Sequence, residues 1–176
     1  YNDFQPTGGT VEIYGNDMSN IVMSSPNAYL HNLHINKSSN LSNISSDNFH
    51  VANDFILDGG NVNSPDTFHI GGDWENNVGE SAYNEVFNVV KFYGANVSTI
   101  KNDEKFYNLI VDKDNTYENG VVVSSALNVN ILNNTNIISG DLKLDYAAQI
   151  DFDGNLTIEN GGCFNVNSNI TIVRLA

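Results

Sequence analysis

Three histidines sit in apolar-x-apolar triplets: His34 between Leu33 and Ile35, His50 between Phe49 and Val51, and His69 between Phe68 and Ile70. In an extended chain the flanking residues point one way and the middle residue the other, so each imidazole is expected on the outside of a strand. The steps between them are 16 (34 to 50) and 19 (50 to 69). If these equal one turn of a stacked structure, the imidazoles form an outer row able to hold a transition metal; the plainer reading is three solvated strand residues. A second oxygen-rich stretch, VDKDNTYENG, brings Asp112, Asp114, Asn115 and Glu118 to one turn, the donor set that a hard cation such as calcium takes. Its spacing and glycine position are not those of an EF-hand, and the equivalent turn in the first half, Asn36-Lys37-Ser38-Ser39, lacks the carboxylates, so a solvated acidic turn is the competing reading. No cofactor is expected, with calcium at this turn as the alternative.

The aromatic residues carry a different chemistry. Trp74, Tyr14, Tyr93 and Tyr107 are amphipathic rings on which a neutral sugar could stack while Asn and Asp side chains bind its hydroxyls; packing at corners of the fold is the alternative. Catalysis has little support. A β-helix lyase needs a basic group beside calcium-binding acids, yet the only arginine is Arg174. Glycoside hydrolysis needs two carboxylates at a set separation, and nothing among the 21 acidic residues marks a pair. No nucleophile-elbow pattern frames any serine, and Cys163 reads as a small buried hydrophobe. A non-enzyme is expected.

Those residues must be positioned by short strands. Alternation of period two marks Val11-Glu12-Ile13-Tyr14, Leu109-Ile110-Val111, Leu127 to Ile131, Ile150-Asp151-Phe152, Leu156-Thr157-Ile158 and Ile170-Thr171-Ile172, besides the histidine triplets. Turn signals such as Asp58-Gly59-Gly60, Ser139-Gly140-Asp141 and Asn160-Gly161-Gly162 separate them, and no window carries a helical stripe. The chain also repeats. Val11, Ile13, Tyr14 and Gly15 return as Val90, Phe92, Tyr93 and Gly94 at an offset of 79 (11 to 90), and Asn32, Leu33, Ile35 and Lys37 return as Asn108, Leu109, Val111 and Lys113 at an offset of 76 (32 to 108). Ile56-Leu57-Asp58-Gly59 aligns with Ile137-Ile138-Ser139-Gly140, and Tyr1-Asn2-Asp3 with Tyr83-Asn84-Glu85. One continuous β-solenoid over 1–176 with internal repeats 1–82 and 83–176 is expected, the alternative being a pair of antiparallel β-sandwiches. Asparagine and serine at strand ends favour the solenoid because they can stack as ladders, and the connections are too short for a Greek key. Opening at Tyr1 part-way through the repeat phase, the chain reads as a processed piece of something longer.

The formal net charge is −14, from 7 Lys plus Arg against 21 Asp plus Glu. Such a surface repels phosphate backbones and acidic headgroups, so nucleic acid is excluded as a partner and neutral glycans stay open. One cysteine allows no intrachain disulfide, and no apolar run is long enough for membrane insertion as a helix.

The ordered set Gly71-Gly72-Asp73-Trp74-Glu75-Asn76, Val90-Lys91-Phe92-Tyr93-Gly94, Phe106-Tyr107-Asn108-Leu109-Ile110-Val111 and Ile137-Ile138-Ser139-Gly140-Asp141-Leu142 resembles a repeat of very large secreted surface proteins of Bacteroidetes-type bacteria. That resemblance implies a right-handed parallel β-helix in an exported, cell-surface protein. It also implies a structural or adhesive role with other copies or flanking repeats as partners, stacked end to end. A carbohydrate-binding module of an extracellular enzyme is the runner-up, and a β-helix lyase or hydrolase comes third. The second copy departs from the pattern where Asp153-Gly154-Asn155-Leu156 replaces the tryptophan turn.

Overall fold

The computed structural model describes residues 3–114 and 119–166, and the backbone of 172–175. Every paired strand is parallel, and the chain winds as a β-solenoid of about seven turns with three strand positions per turn. The first face is built from Thr10–Gly15, 32–37, 55–59, Trp74–Asn76, Ser98–Ile100, Gly120–Val123 and 141–144, each hydrogen-bonded to the next. The second face holds Ser19–Ile21, 41–44, 61–63 and Tyr83–Asn84, then Glu104–Phe106, Asn128–Ile131 and Gln149–Phe152. The third holds Asn48–Val51, Thr67–Ile70, Val89–Gly94, Asn108–Lys113 and 135–139. The antiparallel alternative is excluded.

Period-two alternation sends one side chain in two to the lumen, where register stacks them in columns. Leu33, Phe55, Trp74, Ile100, Val123 and Leu144 form one such column, and Phe49, Phe68, Val90 and Leu109 another; all are fully buried. Aromatic rings concentrate around Trp74, with ring centroids 4.6 Å from Phe55, 4.8 Å from Tyr83 and 5.2 Å from Phe106, each pair adding about 0.5–1.5 kcal/mol beyond burial.

The expected asparagine ladder is present on the second face. Asn20, Asn43, Asn63 and Asn84 stand in register, and each of the last three donates its amide to the side-chain oxygen below it, at 3.3, 3.5 and 3.0 Å. The repeat residues do the same job twice over. Asn32 donates its backbone N–H to Gly9 O at 3.2 Å, and its Oδ1 accepts from Asn53 Nδ2 at 2.8 Å and Asp54 N–H at 3.1 Å. Asn108 donates to Asn88 O at 3.2 Å and accepts from Asn133 Nδ2 at 2.9 Å and Asn134 N–H at 3.2 Å. Each is a clamp across three successive turns. Lys37 and Lys113 are both buried, reaching Ser19 Oγ at 3.0 Å and Ser98 Oγ at 2.8 Å, themselves a repeat-related pair. Gly60 and Gly140 share a φ of 77°, and a methyl at either would sit 2.9 or 2.8 Å from Cβ of that same lysine. The alignment around this turn therefore runs Gly60 to Gly140, one position off the Gly59 match that sequence identity suggests.

The repeat is not a whole number of turns. Thr10–Gly15 lies on the first face, whereas its copy Val89–Gly94 lies on the third, where it pairs with Thr67–Ile70. Eleven strand positions separate the two, counting the Leu30 bridge to Val51 as the third face of the opening turn; at three per turn this is 3⅔ turns. Ile172–Leu175 then pairs with Gln149–Phe152 on the second face, in the register that Val89–Phe92 uses on Thr67–Ile70. Thr10-Val11-Glu12-Ile13, Val89-Val90-Lys91-Phe92 and Ile172-Val173-Arg174-Leu175 are thus three copies of one strand, one on each face.

Candidate functional site

The histidine row does not form. His50 and His69 are register partners on the third face with rings 3.9 Å apart and 5° from parallel, but His34 is on the first face, its Nε2 2.8 Å from Asp58 and its Nδ1 3.8 Å from Glu12. The reason is arithmetic. One turn advances the numbering by anything from 19 (Phe55 to Trp74) to 27 (Asp112 to Ser139). The step of 19 from His50 to His69 is therefore one turn, whereas 16 from His34 to His50 is two faces. Tyr93 stands edge-on to both stacked rings at 6.0 and 6.1 Å, and Lys91 is the next residue in their column. Burial lowers the His50 pKa, with Lys91 adding to it; burial, His50 and Lys91 together lower that of His69 to about 4. Both imidazoles are neutral at pH 7. Parallel rings aim their nitrogen lone pairs along parallel lines, so the stack is a poor chelate and a better donor-acceptor edge for a hydroxylated ligand.

The acidic turn is only half placed: Asn115 and Glu118 lie outside the described residues. Asp112 is paired with Lys91 Nζ at 2.5 Å and accepts Ser139 Oγ at 3.1 Å, and these contacts hold its carboxyl below the usual range. Among the described residues no three His, Cys, Asp or Glu side chains converge as a metal group.

Trp74, the first choice for a sugar platform, is fully buried and cannot meet a ligand. Its indole N–H donates at 2.6 Å to Glu104, itself fully buried. Glu104 also accepts Asn76 Nδ2 at 3.0 Å and Lys105 N–H at 2.9 Å. It sits where strand pairing on the second face is interrupted, between Tyr83–Asn84 and Glu104–Phe106, so the carboxyl replaces missing ladder bonds. Burial outweighs these donors and raises its pKa to about 7. Lys113 is also fully buried, donating to Tyr93 O at 2.7 Å, with burial pulling its pKa down to about 8.

The remaining tyrosines are reachable but apart. Tyr14 is 76% exposed on the first face, Tyr93 is half-buried on the third, and Tyr107 is at the corner between the second and third faces. The last has a companion that sequence reasoning missed. Phe87 is 78% exposed at φ 57°, with its ring 5.2 Å from that of Tyr107 and Val86 exposed beside it. A bulky residue in the left-handed region costs about 1 kcal/mol or more, and no burial of the ring offsets it.

Comparison with protein-family models, curated proteins and solved structures gives no match for this chain.

Proposed function

We propose that this chain is a non-catalytic stacking module, a spacer with adhesive capacity in an extracellular or cell-surface protein. The observation that carries the proposal is what the tandem copies keep in common. Asn32 and Asn108, Lys37 and Lys113, and Gly60 and Gly140 all act between turns, while the copied surface tyrosines Tyr14 and Tyr93 face different ways. Repetition has kept the stacking and left the surface free. The resemblance to exported bacterial repeats supports the location, and the net charge of −14 favours neutral partners. The test is incubation with a panel of plant and bacterial polysaccharides. Unchanged polymers are expected; release of reducing or unsaturated ends that stops on substituting one pair of carboxylates refutes the proposal.

Neutral-glycan binding is a second reading, favoured by the exposed Phe87 ring beside the half-buried Tyr107. A glycan array run with calcium and with chelator, repeated on Phe87→Ala, tests it. Binding that survives the substitution removes this pair as the platform.

A further inference from the structure

The opening turn leaves its apolar columns uncovered. Val11, Ile13, Ile21 and Met23 head the lumen yet are only partly buried, whereas their successors Leu33, Ile35 and Ile44 are closed off. Val11, Ile21 and Met23, with the exposed Phe4 and Val22 and the buried Leu30, line a pocket of about 460 Å³. The outer edge of Thr10–Gly15 has no strand partner among the described residues. Open edges of this kind are templates for a further strand.

We propose that this end is the docking face for the closing turn of another module of the same repeat, a turn built like residues 55–82 and joined in tandem at the amino-terminal side. The inference rests on the stacking reading above and supplies its partner, because the interface already exists once inside the molecule. Val89–Gly94, the second copy of Thr10–Gly15, covers its apolar residues by pairing with Thr67–Ile70, Phe68 opposite Val90 and Ile70 opposite Phe92. Ser98–Ile100, the copy of Ser19–Ile21, likewise follows on from Trp74. The same register on the opening turn sets a phenylalanine over Val11 and an isoleucine over Ile13. Charge favours the docked arrangement more than the internal one. Glu12 occupies the place of Lys91, so the incoming histidine equivalent to His69 meets a carboxylate instead of the ammonium that disfavours its protonation. A second copy's far end is a poorer occupant, because Ile172–Leu175 already fills the equivalent position on Gln149–Phe152. There Glu12 of the incomer would also stand at the register position facing Asp151.

The test joins a duplicate of residues 55–82 directly ahead of Tyr1, which recreates the natural junction between residue 82 and Tyr83. Backbone amides of Thr10–Gly15 are expected to exchange at least about tenfold more slowly than in the parent chain, with Tm raised by about 5 °C. Val11→Asp in the joined chain should abolish the slowing, while in the parent it should leave amides beyond the second turn unchanged. Unaltered exchange at Thr10–Gly15 overturns the proposal, and so does slowing that persists with Val11→Asp. Concentration-dependent dimers of the parent chain in sedimentation that slow the same amides overturn the choice of occupant. None of these outcomes bears on turnover of polysaccharide, so failure here is separable from failure of the functional reading.

Discussion

The buried carboxyl at the interrupted second face should make the fold sensitive to pH in a direction opposite to most acids. Glu104 rises from an ordinary 4.5 to about 7 in the folded chain because burial opposes its charge more strongly than three N–H donors favour it. A raised folded value means that its contribution is full below about 4.5 and is lost as pH climbs through about 7. At 1.36 kcal/mol per pH unit the interval is worth about 3 kcal/mol. The perturbation is Glu104→Gln, which keeps an acceptor for Trp74 and loses the one for Lys105 N–H. That lost bond costs about 1 kcal/mol at every pH and so cancels from a slope. Denaturant unfolding of both chains from pH 4 to 9 should show the parent losing about 3 kcal/mol relative to the variant between pH 4 and 8. Carboxylates elsewhere, common to both chains, drop out of the difference. Trp74 is the only tryptophan and bonds to this carboxyl, so native-state emission should titrate near pH 7 in the parent and be flat in the variant. A difference that is flat across pH, with emission that does not titrate, would refute the reasoning.

The stacked imidazoles predict the opposite trend. The His69 value, depressed from 6.5 to about 4, contributes stability that is present above 6.5 and lost as pH falls through 4; NMR titration of the ring should find that midpoint, and His69→Asn should flatten the acid limb. Gly140→Ala combines φ 77° with backbone oxygen of Asn119 at 2.5 Å and Lys113 Cβ at 2.8 Å, so a loss of about 3 kcal/mol or more is expected in thermal unfolding. Gly15→Ala meets nothing within 4 Å and should cost about 1 kcal/mol, from its φ of 96° alone. Asn63→Ala breaks the ladder on both sides and should cost about 1 kcal/mol; a variant as stable as the parent would show the ladder to be incidental.

Parallel stacking and the asparagine ladder were legible because they depend on local alternation and on residue type. Face assignment was not, since turns of unequal length let loops absorb any mismatch, which is why His34 was grouped with His50 and His69. Trp74 follows two glycines and reads as part of an exposed turn, yet it shares parity with buried Asn76 and opens a strand that faces the lumen. Glu104 lies between two charged neighbours, Asp103 and Lys105, so nothing in the local composition marks it as buried. Its parity with Phe106, two positions on, was the signal that it points inward. Phe87 had no signal at all, because Gly8 and Gly9 hold the equivalent corner in the first copy.

A repeat of eleven strands on a three-sided prism has a consequence for anything that grips it from the side. Successive modules present a given group rotated by a third of a revolution, and the same side shows it again only after three modules, or eleven turns. At about 4.8 Å per turn that is roughly 50 Å along the axis. A bivalent binder would need that reach, whereas a ring closed around the shaft would find one contact per module on a spiral track. Such a track is possible only because all three sides accept the same strand, so growth by duplication need conserve a count of strands and not a count of revolutions.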